Sequence, residues 1–334
     1  MNRGTGRMPV PPPNRRPALV AGGTNAAHRL SCPMSSERSH ALSGALFVLG
    51  AIITWGAYFP YAKLILQKIS PTDFLIFRLG IGTIVLALLN LRLRKSFKIE
   101  KRDLVIVLGA GAVGIILHQI IQLNGLRFTS ATNTGWILTL IPPVTGLLGW
   151  FFLKEHVRGR QILGLAIATV GVVFFVSKGH PEQLSLGKNL GDVLAFASVI
   201  TWSLYTIMTK ARLGRYDPLA VSVIHMFLGF LYFALVGGWG LSTRLGTLTS
   251  HDWIVIIAIG AVPSGVAYYW WNAGLKRLSS MDTSMFIFLE AIVASVTASL
   301  LLSESFTLPM VGFAVIIAVG VYVGQARGRR VLAE

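Results

Sequence analysis

Long apolar stretches alternate with short polar connectors from Ala41 to the last few residues of the chain. A helix of ~20 residues crosses the ~30 Å hydrocarbon layer of a membrane, and ten stretches are about that long. None alternates with the period of two that a barrel strand requires. Because lipid satisfies no backbone hydrogen bonds, continuous helices are expected. The pattern predicts an all-α integral membrane protein whose ten transmembrane helices cover residues 41–63, 73–91, 103–123, 130–153, 160–177, 190–210, 218–238, 252–272, 281–302 and 308–326.

The composition agrees with a membrane protein and excludes other classes. Of the 334 residues, 53% are hydrophobic and only 13% are charged, and the mean hydropathy is +0.65. Soluble domains carry about 25% charged residues. Intrinsic disorder requires low hydrophobicity, which restricts it to the ends of this chain. A disulfide scaffold is excluded because Cys32 is the only cysteine.

The charge balance predicts how the chain is oriented. It carries 30 Lys and Arg against 13 Asp and Glu, a net charge of +17. With a cytoplasmic N-terminus, 23 basic residues lie in cytoplasmic segments, six lie outside, and Arg78 lies within a helix. Basic residues concentrate on the cytoplasmic side of membrane proteins. Both termini are therefore predicted to be cytoplasmic, and the excess charge requires no nucleic-acid partner.

Residues 1–40 differ from the rest because they are rich in proline and arginine and contain one acid, Glu37. This composition predicts a disordered cytoplasmic tail. An organelle transit peptide, which is also arginine-rich and poor in acids, stays open as an alternative. Met34 offers a second start, which leaves open whether residues 1–33 are translated. Residues 327–334 are predicted to form a basic cytoplasmic tail.

The chain contains an internal repeat. A shift of 147 residues brings Trp55 onto Trp202 and Tyr58 onto Tyr205, and a shift of 149 aligns the second parts of the halves, as at Leu140 and Leu289. The halves, residues 41–179 and 188–326, each hold five predicted helices. Since five is odd, the second half enters the membrane from the opposite side. Two inverted five-helix repeats are typical of secondary transporters that alternate access around a site near the bilayer midplane.

Several motifs resemble the EamA-type members of the drug/metabolite transporter superfamily over residues 41–326. They lie at 54–58 (T-W-x-x-Y), 77–79, 125–131, 140–144, 153–157, 289–291 and 302–307. One departure is Ala291, where the family usually has proline. The resemblance implies a plasma-membrane exporter of small metabolites, amino acids or toxic compounds, with a cavity between the halves.

Three ionisable residues within predicted helices are candidates for coupling transport to ions: Glu290, Arg78 and His225. Such groups are costly in a membrane and are therefore functional candidates. Glu290 either binds the coupling proton or is a structural acid bonded to a neighbouring helix. Arg78 either anchors a substrate carboxylate, which guanidinium binds in a bidentate manner, or extends to the membrane surface. His225, the repeat equivalent of Arg78, is either a neutral packed residue or a pH-sensitive group.

Other polar and aromatic residues are predicted to line the cavity. His118, Gln119 and Gln122 lie together in the third helix, where the alternative is a clasp between helices. Membrane-interface belts explain many aromatic residues, and this interpretation suits Trp270 and Trp271. The remaining aromatic candidates for the cavity wall are Trp55, Tyr58, Trp202, Tyr205 and Tyr268.

Catalytic and metal-binding signatures are absent from the sequence. It contains no H-E-x-x-H, no paired cysteines and no G-x-S-x-G. The glycines at 109–114 match G-x-G-x-x-G but lack the acidic residue that dinucleotide binding requires, so they are interpreted as helix-packing residues. We therefore predict a transporter with no cofactor or metal, whose partners are a small-molecule substrate and the lipid bilayer, as a monomer or homodimer. The alternatives are a non-transporting membrane scaffold or receptor and an intramembrane enzyme.

Overall fold

A computed structural model describes residues 33–129, 131–184, 187, 189–237, 245–246, 248–303 and 306–326. This part of the chain contains no strand. It contains ten helices that are long and apolar enough to cross a membrane, which confirms the predicted fold class. They are α1 (Pro33–Leu66), α2 (Pro71–Leu93), α3 (Lys101–Gly111, Ala112–Leu117 and His118–Phe128), α4 (Ala131–Leu138 and Ile141–Leu153), α5 (Gly159–Val176), α6 (Leu190–Leu213), α7 (Pro218–Gly237), α8 (Ser250–Ile259, Gly260–Val266 and Ala267–Arg277), α9 (Ser280–Met285 and Phe288–Leu302) and α10 (Leu308–Gln325).

Four of the ten helices are irregular, which corrects the expectation of continuous helices. The middle segments of α3 and α8 are π-helical, and α4 and α9 are each interrupted by a short turn. The shift of 149 residues relates α3 to α8 and α4 to α9, so the irregularities occur in equivalent pairs. Irregular backbone at membrane depth is tolerated where it is buried in protein or lines a cavity.

The turns in α4 and α9 arise in different sequence contexts. In α4, Pro142 and Pro143 begin the second segment, where a proline lacks the N–H that a continuous helix needs. In α9 there is no proline, and the turn lies where Gly56 brings α1 close: a Cβ on Gly56 would lie 2.9 Å from the carbonyl oxygen of Glu290. At both turns, backbone N–H groups bond to carbonyls three residues back, so the backbone stays satisfied.

The two repeats are intermixed in space. Helix α1 packs on α8 and α9 of the other half, and the equivalent α6 packs on α3 and α4. We group α1, α2, α8 and α9 as the first bundle and α3, α4, α6 and α7 as the second bundle. The two bundles also pack on each other through α2 and α7, where a Cβ on Gly80 would lie 3.1 Å from the Phe230 ring. Outside them, α5 packs on α10 through glycines, and a Cβ on Gly164 would lie 2.5 Å from the carbonyl oxygen of Gly320.

The predicted disordered tail and the first helix overlap. Helix α1 begins at Pro33, inside the segment 1–40, with proline at a position where its fixed φ favours a first turn. Residues 1–32 and 327–334 lie outside the described residues, so the rest of both predicted tails is not described.

Candidate functional site

A cavity lies between the two bundles, at the level of the irregular segments. It holds about 60 Å³ of free space, so in this conformation it is smaller than the ~300–1,000 Å³ of most small-molecule sites. Its polar and ionisable lining residues are Arg78, His118, Gln119, Gln122 and Glu290. The remaining wall is aromatic, from Trp55, Tyr58, Phe59, Trp202 and Tyr268, or aliphatic, from Leu138, Ile141 and Ile287.

Arg78 is held rigidly at the cavity wall. Its Nε donates to Ser264 Oγ (2.8 Å) and its Nη1 donates to the Tyr58 hydroxyl (2.9 Å). The π-helical segment of α8 carries Ser264. The residue is 2% exposed, so the alternative in which it extends to the membrane surface is excluded. Among the described residues, no carboxylate forms an ion pair with the guanidinium, which leaves a buried positive charge facing the cavity.

Four aromatic rings form a cluster beside Arg78. The Trp55 ring lies 5.4 Å from Trp202, 5.2 Å from Tyr268 and 5.4 Å from Trp271, measured between centroids. Trp55 Nε1 donates to the carbonyl of Pro263 (2.8 Å), within the π-helical segment of α8. Trp202 is 6% exposed, and its Nε1 has no partner among the described residues. The cavity wall therefore offers an unused N–H donor.

The polar residues of α3 complete the wall opposite the first bundle. His118 Nδ1 donates to the carbonyl of Ser198 (3.1 Å), and Gln119 Nε2 donates to the Tyr268 hydroxyl (3.4 Å). Gln119 and Tyr268 are repeat equivalents, and each follows a π-helical segment. Gln119 Oε1 is buried without a partner in the described structure, so the wall also offers an unused acceptor.

Glu290 lies in the first turn of the second segment of α9, directly after the interruption. Its side chain is partly exposed to the cavity, and no described residue donates a hydrogen bond to it or pairs with it. Glu290 is therefore an accessible acid in the cavity. Among the described residues it forms no bond to a neighbouring helix, as the structural alternative would require.

A second chamber with about 210 Å³ of free space adjoins the cavity between α1, α4, α5 and α9. The two share four lining residues, Phe59, Leu138, Ile287 and Glu290. The other lining residues of the chamber are almost all apolar, with Thr134, Gly135 and Thr139 from α4, Val172 from α5, and Phe288, Ala291 and Ala294 from α9.

Comparison with known proteins identifies the family that shares this architecture. The model of the EamA-like transporter family matches residues 42–177 and 189–323, one match to each repeat. The chain belongs to the EamA-like transporter family. The resemblance found in its motifs is confirmed.

Similar proteins are named as transporters. The uncharacterized transporter YyaM of Bacillus subtilis is 26% identical over 282 residues, covering 84% of this chain and 91% of the relative. A probable terminal-alkyne amino-acid exporter of Streptantibioticus cattleyicolor is 27% identical over 272 residues, covering 79% and 87%. A solved crystal structure with a TM-score of 0.73 and 17% identity covers 84% of this chain and 98% of that one, which shows the shared fold.

Two of the predicted site residues lie away from this EamA-type cavity. The Tyr205 side chain is fully buried between α6 and α8, where its hydroxyl donates to Asn272 Oδ1 (3.4 Å), and it does not line the cavity. His225 is also fully buried and its Nε2 donates to the carbonyl of Val107 (3.0 Å). Both pack on the glycines of α3: a Cβ on Gly114 would lie 2.3 Å from the Tyr205 ring. Close helix packing therefore excludes these side chains from the site.

Sequence reasoning missed three contributors to the site. Ser264 and the carbonyl of Pro263 come from the π-helical segment of α8, and only the proline marked that segment. Trp271 is fully buried and 5.5 Å from the Trp202 ring, so it is no interfacial residue. Trp271 lies six residues from the end of α8, which suggested a position at the membrane interface. It also lies one helical turn beyond Tyr268 on the same face, and this spacing would have indicated the aromatic cluster.

The predicted cytoplasmic side of the cavity is closed by bonds between the bundles. Glu155, at the end of α4, accepts from the backbone N–H (2.9 Å) and hydroxyl (3.3 Å) of Ser280 at the start of α9. Lys210 of α6 donates to the carbonyls of Leu275 and Leu278. Nearby, Arg158 before α5 holds both carboxylate oxygens of Asp282 at 2.8 Å. We call this set of contacts the cytoplasmic closure.

Two further sets of ion pairs lie within single bundles. Asp103 of α3 pairs with Arg212 and Arg215 at 3.3 Å and accepts from Tyr216 (2.8 Å). Burial raises the pKa of Tyr216, so its hydroxyl remains a donor to Asp103. The equivalent pair on the opposite face joins Lys68 to Asp252 of α8 (2.7 Å). Both pairs connect helices of one bundle and stabilise each bundle as a unit.

No cluster of three or more His, Cys, Asp or Glu that could hold a metal ion occurs in the described ranges.

Proposed function

We propose that this chain is a secondary transporter that exports small carboxylate-bearing metabolites, amino acids among them, by alternating access coupled to protons. This proposal rests above all on Arg78, a buried cation that faces the cavity without a carboxylate partner in the described structure. A guanidinium binds a carboxylate through two parallel hydrogen bonds. The relative from Streptantibioticus cattleyicolor, named a probable exporter of an amino acid, supports the same class.

The charges of the cavity suit a zwitterion. Arg78 supplies a cation and Glu290 an acid, and both line one cavity. Trp55, Trp202 and Tyr268 surround it with aromatic faces, which attract ammonium groups. A substrate carboxylate at Arg78 and an amino group near Glu290 or the aromatic faces would pair the groups that the protein leaves unpaired.

The closed and open sides of the cavity support alternating access. The cytoplasmic closure joins the two bundles on one side. On the other side, the chamber lining residues Phe59, Thr134 and Val172 lie in the parts of α1, α4 and α5 that are nearest the extracellular side if both termini are cytoplasmic. The transport movement would separate the two bundles at the closure. Because each bundle mixes helices from both repeats, the movement would not be a rocking of one repeat against the other.

The substrate is tested by comparing the metabolites outside cells that express the chain with those outside cells that do not, together with resistance to toxic amino-acid analogues. We expect carboxylate-bearing metabolites to accumulate outside and analogue resistance to rise. A chain that exports nothing, and in proteoliposomes moves none of the enriched compounds but retains a stable protein partner, would instead be the scaffold or receptor.

Proton coupling is tested with Glu290→Gln, which keeps the size of the side chain and removes its acid. In proteoliposomes we expect transport driven by a pH gradient to fall to the background, while exchange of labelled for unlabelled substrate without a gradient continues. The control is Glu182→Gln, since the side chain of Glu182 is 68% exposed and far from the cavity. An unchanged response of Glu290→Gln to the pH gradient would remove this residue from the coupling step.

A further inference from the structure

The second chamber differs in chemistry from the cavity that it adjoins. Beyond the four residues that they share, the cavity contributes Arg78, His118, Gln119 and Gln122, whereas the chamber contributes no charged side chain. Its walls are formed by Val172, Phe288 and alanines of α9, with two threonine hydroxyls from α4. A ligand that spans both spaces is therefore polar at one end and apolar at the other.

The polar end and the chamber lie close together. The Cζ of Arg78 lies 4.8 Å from the Tyr58 ring centroid, and the Tyr58 ring lies 4.9 Å from the ring of Phe59. Phe59 borders both spaces. The guanidinium and the chamber are thus separated by two neighbouring rings, which is within the reach of one small amphipathic molecule.

The chamber also contains an unpaired polar group. Thr134 is 5% exposed, and its Oγ1 lacks a hydrogen-bond partner in the part of the chain that the structure describes. Thr139, by contrast, donates to the carbonyl of Trp136 (2.6 Å). A buried unpaired hydroxyl is costly, and Thr134 therefore points to a bound molecule in the chamber.

We propose that the chamber is the subsite for the substrate's side chain, so that the transported compound is a monocarboxylate with an aliphatic tail, such as an amino acid with a linear or branched apolar side chain. This inference rests on the proposed function, because Arg78 fixes the carboxylate end. Continuity through Phe59, Leu138, Ile287 and Glu290 favours the tail of the substrate as the occupant over a lipid chain. A charged tail end is disfavoured, because the chamber wall beyond Glu290 has no group to pair with it.

The subsite is tested with L-alanine, L-2-aminobutyrate, L-norvaline and L-norleucine, which add one methylene at a time. Binding to the purified full chain is measured by thermal stabilisation and by competition in proteoliposome exchange. We expect affinity to rise about fourfold per methylene, or about 60-fold over the series. L-lysine, with a charge at the end of a similar tail, is expected to bind no better than L-alanine.

Ala294→Leu fills the chamber from α9 without touching the cavity. We expect this variant to reduce the gain in affinity from L-alanine to L-norleucine from about 60-fold to less than about fivefold. The matched control is Ala298→Leu, the same substitution one turn further along α9, where the side chain lines neither space. This control should keep the full gain in affinity from L-alanine to L-norleucine.

Three results would overturn the subsite. The first is an affinity that does not rise along the series in the wild type, and the second is an undiminished rise in Ala294→Leu. The third is a lipid that copurifies with the wild type and is lost in Ala294→Leu while the rise in affinity persists. The last identifies the chamber as a lipid site. A flat series with carboxylate export intact removes only the subsite, whereas a chain that exports no carboxylate metabolite removes the proposed function as well.

Discussion

Equivalent positions of the two repeats have different environments. In the first repeat, Arg78 donates to the hydroxyl of Tyr58, and both side chains line the cavity. In the second, His225 and Tyr205 occupy the matching positions, with ring centroids 5.5 Å apart, and both are fully buried away from the cavity. The repeat thus reproduces the backbone and its irregular segments, while the side chains make one copy a candidate binding surface and the other a packed interior.

Replacing the two equivalent residues is the strongest test of this comparison. Arg78→Gln should lower substrate affinity about 100-fold, because it removes a charge-assisted, bidentate contact worth ~3 kcal/mol. His225→Gln should change affinity less than threefold, since that side chain does not reach the cavity. Binding to the purified protein measures both. Equal losses would mean that position 225 contributes to the site as much as position 78 does, which would contradict this comparison.

A second comparison sets bonds between the bundles against bonds within one. The double variant Glu155→Ala with Lys210→Met removes the main contacts of the cytoplasmic closure. We expect it to shift the equilibrium away from the outward-facing state by about tenfold, which corresponds to ~1.4 kcal/mol. The readout is Ala294→Cys in a Cys32→Ser background, labelled from outside by an impermeant maleimide, and labelling should slow.

The control for the closure is Asp103→Asn, whose contacts to Arg212, Arg215 and Tyr216 stay within the second bundle. This substitution should lower the melting temperature and leave the labelling rate unchanged. If Asp103→Asn slows labelling as much as the double variant does, the division into two moving bundles is wrong.

The smallest expected effect comes from the two equivalent tryptophans. Trp55→Phe and Trp202→Phe remove the same ring area, but only the Trp55 N–H has a protein partner in the described structure, the carbonyl of Pro263. Trp55→Phe should therefore lower the free energy of unfolding by about 1 kcal/mol more than Trp202→Phe does. Trp202→Phe should lower substrate affinity about fivefold more than Trp55→Phe does, because the Trp202 N–H is free for a ligand. Melting curves and binding isotherms measure the difference, and equal effects on both would contradict it.

The hydropathy pattern was sufficient to predict the ten helices and their order, because the need to cross lipid determines segment length and polarity. The irregular segments were not predictable in the same way. Pro142 and Pro143 mark the turn in α4, but the turn in α9 has no proline, and the π-helical segment of α3 has no marker either. Backbone geometry there depends on packing between helices distant in sequence, such as the contact of Gly56 with α9.

The site was predictable where a polar residue is unusual for its surroundings, as with Arg78, Glu290 and Gln119. It was not predictable where burial depends on the partner helix. Tyr205 repeats Tyr58 in sequence, yet it packs against Gly114, whereas Tyr58 meets Arg78. Periodicity identifies the face on which a residue lies, but the neighbouring helix decides whether that face borders a cavity.

The intermixing of the repeats has a consequence for biosynthesis. Ser264, a partner of Arg78, is translated 186 residues later, which takes about 10 to 40 s at ~5–20 residues per second. During this interval Arg78 has entered the membrane without that hydroxyl, and α1 has neither α8 nor α9 to cover it. The early helices must therefore wait, near the insertion machinery or in contact with one another, until the second half is made. A chain cut between the repeats would leave each half without the surfaces that complete its core.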